Sequence, residues 1–264
     1  MIQRIVTGAL ALALFMVFLF LGHVWFAMFM LLLSLIGYFE YVRITQNKVG
    51  QFSSVLGFVF VIYLVLPWTE MGISLFESLT LESVIWGMLL LFLLTSVFSK
   101  NKQDIKKISL LFLGAIYIGF GFHYMALTLF LEDGLFWALF IFISIWLTDS
   151  GAYFSGLIFG KHPLWPSISP KKTIEGSIGG IIITLLSAII FSFLSPHLLE
   201  LKQAIILAIS ISIFSQLGDL IQSAYKRVYD VKDSGTILPG HGGILDRCDS
   251  WIIVFPLLHL FHIL

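Results

Sequence analysis

Residues 5–21 read IVTGALALALFMVFLFL and, after Gly22-His23, residues 24–39 read VWFAMFMLLLSLIGYF. Neither run holds an Asp, Glu, Lys, Arg or His. A helix that crosses a membrane needs about 20 mostly apolar residues. A cleaved secretory signal offers one such run behind a basic start, and residues 1–4 invite that reading. Two runs back to back predict instead two spans joined by a tight turn at Gly22-His23, with the first retained.

Working outward, further apolar runs fall at 52–67, 84–99, 108–131, 135–158, 174–194, 203–222 and 243–264. With 4–21 and 24–42 they make nine, the third and fourth short enough to be tilted or partly interfacial. The expected fold class is all-α: a polytopic integral membrane protein of about nine transmembrane helices. Composition agrees. The chain has 264 residues, 59% hydrophobic and 11% charged, with a mean hydropathy of +1.01, whereas a soluble domain is about a quarter charged. One soluble core could not hide that much apolar surface, so lipid must cover it. A formal net charge of zero argues against nucleic acid as a partner. Cys248 is the single cysteine, which excludes an internal disulfide and a cysteine metal cluster. It is expected to fill space.

Lys and Arg collect in cytoplasmic loops, which tests the count of nine. With the N-terminus inside, Arg4, Arg43, Lys48, Lys100, Lys102, Lys106, Lys107, Lys161, Lys171, Lys172, Lys226, Arg227, Lys232 and Arg247 all fall on the cytoplasmic side, and only Lys202 falls outside. Glu70, Glu77, Glu82, Glu132, Asp133 and Glu200 occupy the opposite loops. Gaining or losing one span would scramble that segregation. Residues 1–100 are expected to form N-terminal transmembrane helices, and 101–264 a transmembrane catalytic region with a polar site facing the cytoplasm. The longest polar connections are 160–173 and 223–242.

Asp219 stands near the cytoplasmic end of the eighth run, in QLGDLIQSAYKR, residues 216–227. On a helix, Asp219, Ser223 and Lys226 at i, i+4 and i+7 share one face. An Asp219–Lys226 pair marking where the helix leaves lipid is one reading. A carboxylate kept for chemistry is the other, since a charge mid-span costs about 2.5–3.5 kcal/mol on the insertion scale, and less near an end. The next segment favours chemistry. Residues 232–250, KDSGTILPGHGGILDRCDS, place Asp246 and Asp249 at i and i+3 on the first turns of the last helix. The helix dipole accounts for one acid there, but not for a second beside Arg247 and a Pro-Gly-His-Gly-Gly turn. Mg²⁺ takes a few carboxylates plus substrate phosphates. Glycines let backbone N–H groups approach phosphate oxygens closely, and Lys226, Arg227, Lys232 and Arg247 supply positive charge. The combination reads as a nucleotide or phospho-substrate site.

The gapped pattern SAYKR at 223–227, Lys232-Asp233 and PGHGGILDRCD at 239–249 resembles the signature of the phosphatidate cytidylyltransferases, the CDP-diacylglycerol synthases. Tyr225 and Cys248 depart from the aliphatic residue or Phe usual there, and neither is expected to touch the chemistry. DSGAY at 149–153, SPKKTIEG at 169–176 and the Gly218-Asp219 step also resemble family segments, so the resemblance covers most of the chain and is strongest after about residue 145. It implies condensation of CTP with phosphatidic acid to CDP-diacylglycerol and pyrophosphate, with Mg²⁺ required, as one ion or two. It further implies that Asp219, Asp246 and Asp249 hold metal. Ser223, Lys226, Arg227, Lys232, Arg247 and the His241-Gly242-Gly243 turn would surround the phosphates. Lys226, Arg227, Asp246 and Asp249 are the residues expected to carry catalysis, with His241 positional. The implied partners are CTP, phosphatidic acid and membrane lipid, together with a second copy of the chain in a homodimer. The implied location is the inner (plasma) membrane, with the site on the cytoplasmic side where CTP and the lipid head meet.

Other residues carry two readings each. Asp149, inside the sixth run, either joins the metal or nucleotide site, the default for an intramembrane acid, or hydrogen-bonds a neighbouring helix. Lys171 and Lys172 either set topology or bind triphosphate or the lipid head. Gly156 with Gly160 and Gly176 with Gly180 need only close helix packing. Three rivals to the main reading stay open: a CTP-dependent polyprenol or dolichol kinase, a cation or solute transporter using Asp149 and Asp219, and a phosphatidylalcohol transferase, whose Asp-Gly-Ala-Arg pattern is absent.

Overall fold

The computed structural model of the chain describes residues 2–74 and 79–264. The side chain of Arg4 and residue Glu77, both used above for topology, lie outside the described residues. Two compact units divide the chain.

The first unit, Met1–Glu132 with Asp233–Arg247, contains α1 (Ile2–Leu21), α2 (His23–Ile44), α3 (Phe52–Val65), α4 (Leu81–Phe98) and α5 (Ile105–Thr128). The chain reverses between α1 and α2 at Gly22, φ 78°, and His23, φ 22°, the tight turn expected there. Thr80 starts α4 by accepting from Ser83 N at 3.3 Å, and Asp104 starts α5 by accepting from Lys107 N at 2.8 Å, the side-chain caps that such helix starts favour. Phe26, Phe60, Phe92 and Phe122 are buried in its core, and the buried Tyr38 hydroxyl donates to Leu111 O at 3.1 Å.

The second unit, Asp133–Lys232 with Cys248–Leu264, contains α6 (Gly134–Phe159), β1 (Pro163–Trp165), β2 (Ser169–Thr173), α7 (Ile174–Leu194), α8 (Leu201–Val228) and most of α9 (Leu245–Leu260). Small residues let α6 and α7 touch. A Cβ on Gly180 would come within 2.8 Å of Thr148 O, and one on Gly176 within 2.7 Å of Ala152 O. Buried hydroxyls add a third helix: Thr148 Oγ1 lies 2.7 Å from Thr184 Oγ1 and 3.2 Å from Ser212 Oγ. Thr148 precedes Asp149, so this buried triad fixes the height of that carboxylate on α6.

Six helices, α2 and α4–α8, are long and apolar enough to cross a membrane, and α1 and α3 carry the shorter apolar stretches Ile5–Leu21 and Phe52–Val65. Along α7, Ile178, Ile182, Leu186, Ile190 and Phe193 are exposed, an apolar stripe that lipid has to cover. The chain is a multi-pass, predominantly helical membrane protein. One local difference from expectation bears on the site. The connection at 160–173 is an antiparallel hairpin, Pro163 opposite Thr173 and Trp165 opposite Ser169, so Lys171 and Lys172 sit on a strand. The helix carrying Asp219 also continues to Val228, which places Ser223, Lys226 and Arg227 on it.

Candidate active site

Three helices of the second unit each contribute one aspartate: Asp149 from α6, Asp219 from α8 and Asp249 from α9. The charge of Asp219 reaches both others, and Asp149 and Asp249 reach each other. Ser215, one turn before Asp219, ties the helices together. Its Oγ donates to Asp149 Oδ1 at 3.3 Å, while its carbonyl accepts from Ser250 Oγ at 3.1 Å. Ser250 N donates in turn to Asp249 Oδ1 at 2.8 Å. Gly218 explains how α8 approaches so closely, since a Cβ there would stand 2.5 Å from Asp249 O and 2.9 Å from Ser250 Cα. The Gly218-Asp219 step therefore brings two acid-bearing backbones together.

Cations enter from two sides. Lys172 Nζ lies 2.5 Å from Asp219 Oδ2, with both side chains partly open to solvent, and Ser223 Oγ donates to Asp219 Oδ1 at 3.3 Å. The half-buried Lys226 is within electrostatic reach of Asp249. Successive strand residues point to opposite faces, so Lys172 turns inward to Asp219 while Lys171 is exposed. The hairpin that presents Lys172 is pinned at both ends. Glu175, in the first turn of α7, accepts from Lys161 N at 3.1 Å, His162 N at 3.2 Å and His162 Nδ1 at 2.5 Å, and Arg227 Nε donates to Ile168 O at 3.1 Å. Ser177 donates to Gln216 and joins α7 to α8 beside the acids.

The remaining candidates, Lys232 aside, belong to the first unit. Leu238–His241 form a reverse turn, His241 N donating to Leu238 O at 2.8 Å, with Pro239 second and Gly240, φ 78°, third, the residue pattern of a type II turn. Gly242 follows at φ 84°. Gly243 N donates to Asp246 Oδ2 at 3.0 Å, so among the three N–H groups of His241-Gly242-Gly243 only that of Gly242 has no partner in the turn. The His241 ring packs on α1, where a Cβ on Gly8 would sit 3.2 Å from its Nε2, and its Nδ1 is buried without a partner. Arg247 Nε donates to His241 O at 2.9 Å. Lys232, in the second unit, is exposed.

Asp246 is used differently from Asp249. Its Oδ2 accepts from Ser234 N at 2.6 Å, Ser234 Oγ at 2.9 Å and Gly243 N. The metal role expected for Asp246 rests on the family resemblance alone. The donor set of Asp149, Asp219 and Asp249 is all carboxylate oxygen, the ligand type that Mg²⁺ takes, and Asp219 already bonds an ammonium cation. Among the described residues no three His, Cys, Asp or Glu side chains close into a metal cage.

The sequence reading passed over several members of these clusters. Ser215, Ser250, Ser177 and Gln216 give no signal, because polar residues on a span are ordinary helix-packing groups. Glu40 did carry one. It lies in the second apolar run, where an ionisable side chain is a functional-site hypothesis by default.

Fold and site together define a multi-pass helical membrane protein with a carboxylate and lysine cluster suited to phosphate chemistry. The chain belongs to the cytidylyltransferase family, whose profile matches residues 2–264. It is 39% identical over 257 residues to a phosphatidate cytidylyltransferase of Staphylococcus haemolyticus, covering 97% of each chain. To the Bacillus subtilis protein of the same name it is 40% identical over 261 residues, covering 97% of this chain and 96% of that one. The Staphylococcus aureus protein so named is 36% identical over 257 residues, again 97% of each.

Proposed function

We propose that this chain condenses CTP with phosphatidic acid, giving CDP-diacylglycerol and pyrophosphate, at the cytoplasmic face of the plasma membrane. The observation that carries the reading is the convergence of Asp149, Asp219 and Asp249 with Lys172 and Lys226, in a chain whose relatives of matching length bear the name phosphatidate cytidylyltransferase. The cytoplasmic side follows from the segregation of Lys and Arg. Nine crossings, with α1, α3 and α9 added to the six long apolar helices, keep that segregation intact.

A phosphomonoester has its second pKa near 6 and is largely dianionic at neutral pH, so no strong base is needed to generate the nucleophile. Its oxygen attacks the α-phosphorus of CTP, a phosphorus–oxygen bond forms, the bond to the β-phosphate breaks, and pyrophosphate leaves. The obstacle is mutual repulsion of two polyanions. Asp219 and Asp249, with Asp149 beside them, would hold Mg²⁺, which when bound neutralises phosphate charge and supports the leaving group. Lys172 is bonded to Asp219 in the structure, and once released from that carboxylate its ammonium would meet phosphate oxygens. Lys226, within electrostatic reach of Asp249, together with Arg227 and Lys232 would complete the positive field where charge develops at the leaving group. Gly242 N–H and Arg247 are the groups of the glycine turn offered to a phosphate.

The test incubates purified protein in detergent with phosphatidic acid, Mg²⁺ and CTP labelled in the cytidine ring, then extracts lipid. Label in the lipid with pyrophosphate in the aqueous phase is expected. Labelled CDP in water with phosphorylated lipid would replace this reading with a kinase.

A further inference from the structure

Glu40 lies on α2, almost fully buried, and 194 residues separate it from Ser234. Its Oε1 accepts from Ile244 N at 3.0 Å, and its Oε2 accepts from Leu245 N at 3.0 Å and Ser234 Oγ at 3.0 Å. Ile244 and Leu245 begin α9, whose first N–H groups have no partner within the helix, so one carboxylate caps the helix that follows the glycine turn. The single hydroxyl proton of Ser234, just before the turn, is shared between the same carboxylate and Asp246.

The fit around Glu40 is close on every side. A Cβ on Gly235 would stand 3.1 Å from Glu40 Cγ, and Gly243 leaves similar room for its Oε2. One turn earlier on α2, a Cβ on Gly37 would meet Leu245 Cδ2 at 3.1 Å. With Gly8 of α1 against the His241 ring, small residues on α1 and α2 seat His241 and Leu245. Three donors on one buried carboxylate exceed what anchoring a span requires. A capping role alone would also leave unexplained why Ser234, outside the helix, shares that carboxylate.

The geometry points to Glu40 as a positioning residue for the nucleotide, acting through the Ser234–Leu245 segment to hold the Pro-Gly-His-Gly-Gly turn in phosphate-binding shape. This rests on the proposed function, which assigns that turn to CTP phosphates. It gives the first two helices a part in nucleotide binding beyond anchoring the chain. Glutamine cannot replace the glutamate here, because its amide would turn N–H donors toward Leu245 N–H or Ile244 N–H and leave one of them unsatisfied.

The test uses the full-length chain in detergent. In Glu40→Gln the KM for CTP should rise at least tenfold while that for phosphatidic acid stays within twofold. Trypsin cleavage after the exposed Lys232 should accelerate at least tenfold. Ser234→Ala removes only the hydroxyl shared by Glu40 and Asp246, and should raise the CTP KM about threefold to fivefold, which keeps the test decisive if Glu40→Gln fails to accumulate. Equal changes in both KM values, or an unchanged CTP KM with unchanged cleavage in either variant, would overturn the assignment. A parent chain that places no cytidine label in lipid ends the proposed function instead, and the cleavage rates still decide whether Glu40 holds the turn.

Discussion

Lys172→Met should tighten the apparent affinity for Mg²⁺ while it lowers turnover. The ammonium lies 2.5 Å from Asp219 Oδ2, with the two side chains 27% and 36% exposed. Two unit charges at that separation attract by about 2–7 kcal/mol, taking a dielectric of ~80 for water and ~20 near a protein surface. Partial exposure and the cost of stripping water from both groups reduce the net to about 1–2 kcal/mol, toward the upper end for a charge-assisted pair. An ion reaching Asp219 must displace that lysine. Removing the competitor should lower the half-saturating Mg²⁺ concentration roughly fivefold to thirtyfold, at 1.4 kcal/mol per factor of ten. The same change removes a clamp on the phosphates, and maximal turnover should drop by about 10²-fold, the usual loss for one charge-stabilising group. Label transfer to lipid measured across a Mg²⁺ titration gives both quantities, and Mn²⁺ binding followed by electron paramagnetic resonance checks the first without turnover. A half-saturation point that is unchanged or raised would refute the competition between Lys172 and the ion, whatever happens to the rate.

Asp219→Asn and Asp249→Asn should each lower turnover by at least about 10³-fold, from loss of charge stabilisation at the reacting phosphates, with the protein still recovered from membranes in normal yield. Gly218→Ala forces a methyl against Asp249 O and Ser250 Cα; overpacking of that kind costs about 1–3 kcal/mol, read as a lower melting temperature in detergent together with lost activity. Gly242→Ala puts a side chain at φ 84° and against Asp246 Oδ2, a conformation costing about 1–2 kcal/mol, and should raise the CTP KM more than it lowers the melting temperature. Thr148→Val removes the shared hydroxyl between Thr184 and Ser212 and should destabilise by about 1–3 kcal/mol, measured by thermal unfolding, with only a modest loss of turnover.

Much of the helical layout was legible because a span must be apolar along its whole length, whatever packs beside it. The runs at 24–42 and 174–194 became α2, His23–Ile44, and α7, Ile174–Leu194, and Gly22-His23 did become a turn. The hairpin at 163–173 was not legible, since Pro163, Pro166 and Pro170 read as loop residues and its strands are three and five residues long. Within the site, Asp149 and Asp219 could be flagged from residue type and position, as charges inside apolar runs. Their partners could not. Lys172 and Asp219, Ser215 and Asp149, and Glu40 and Leu245 meet only through tertiary packing, across separations that no local spacing records.

Hydrogen-bond supply sorts the carboxylates that spacing left equivalent. Asp246 and Asp249 look alike in sequence, at i and i+3 on one helix. Yet Asp246 Oδ2 accepts from two backbone N–H groups and Glu40 from two, and the two carboxylates share the single Ser234 hydroxyl proton. Those donors tie Asp246 and Glu40 to the chain segments on either side of the glycine turn. Asp149 has one hydroxyl at 3.3 Å, Asp219 one hydroxyl at 3.3 Å and an exchangeable lysine, and Asp249 one backbone N–H. Three acids so sparsely supplied lie within reach of one another's charge, and the Lys172 ammonium offsets part of that repulsion. The donors the fold brings to each acid therefore set Glu40 and Asp246, each held by backbone N–H groups, apart from Asp149, Asp219 and Asp249, a distinction that spacing alone does not carry.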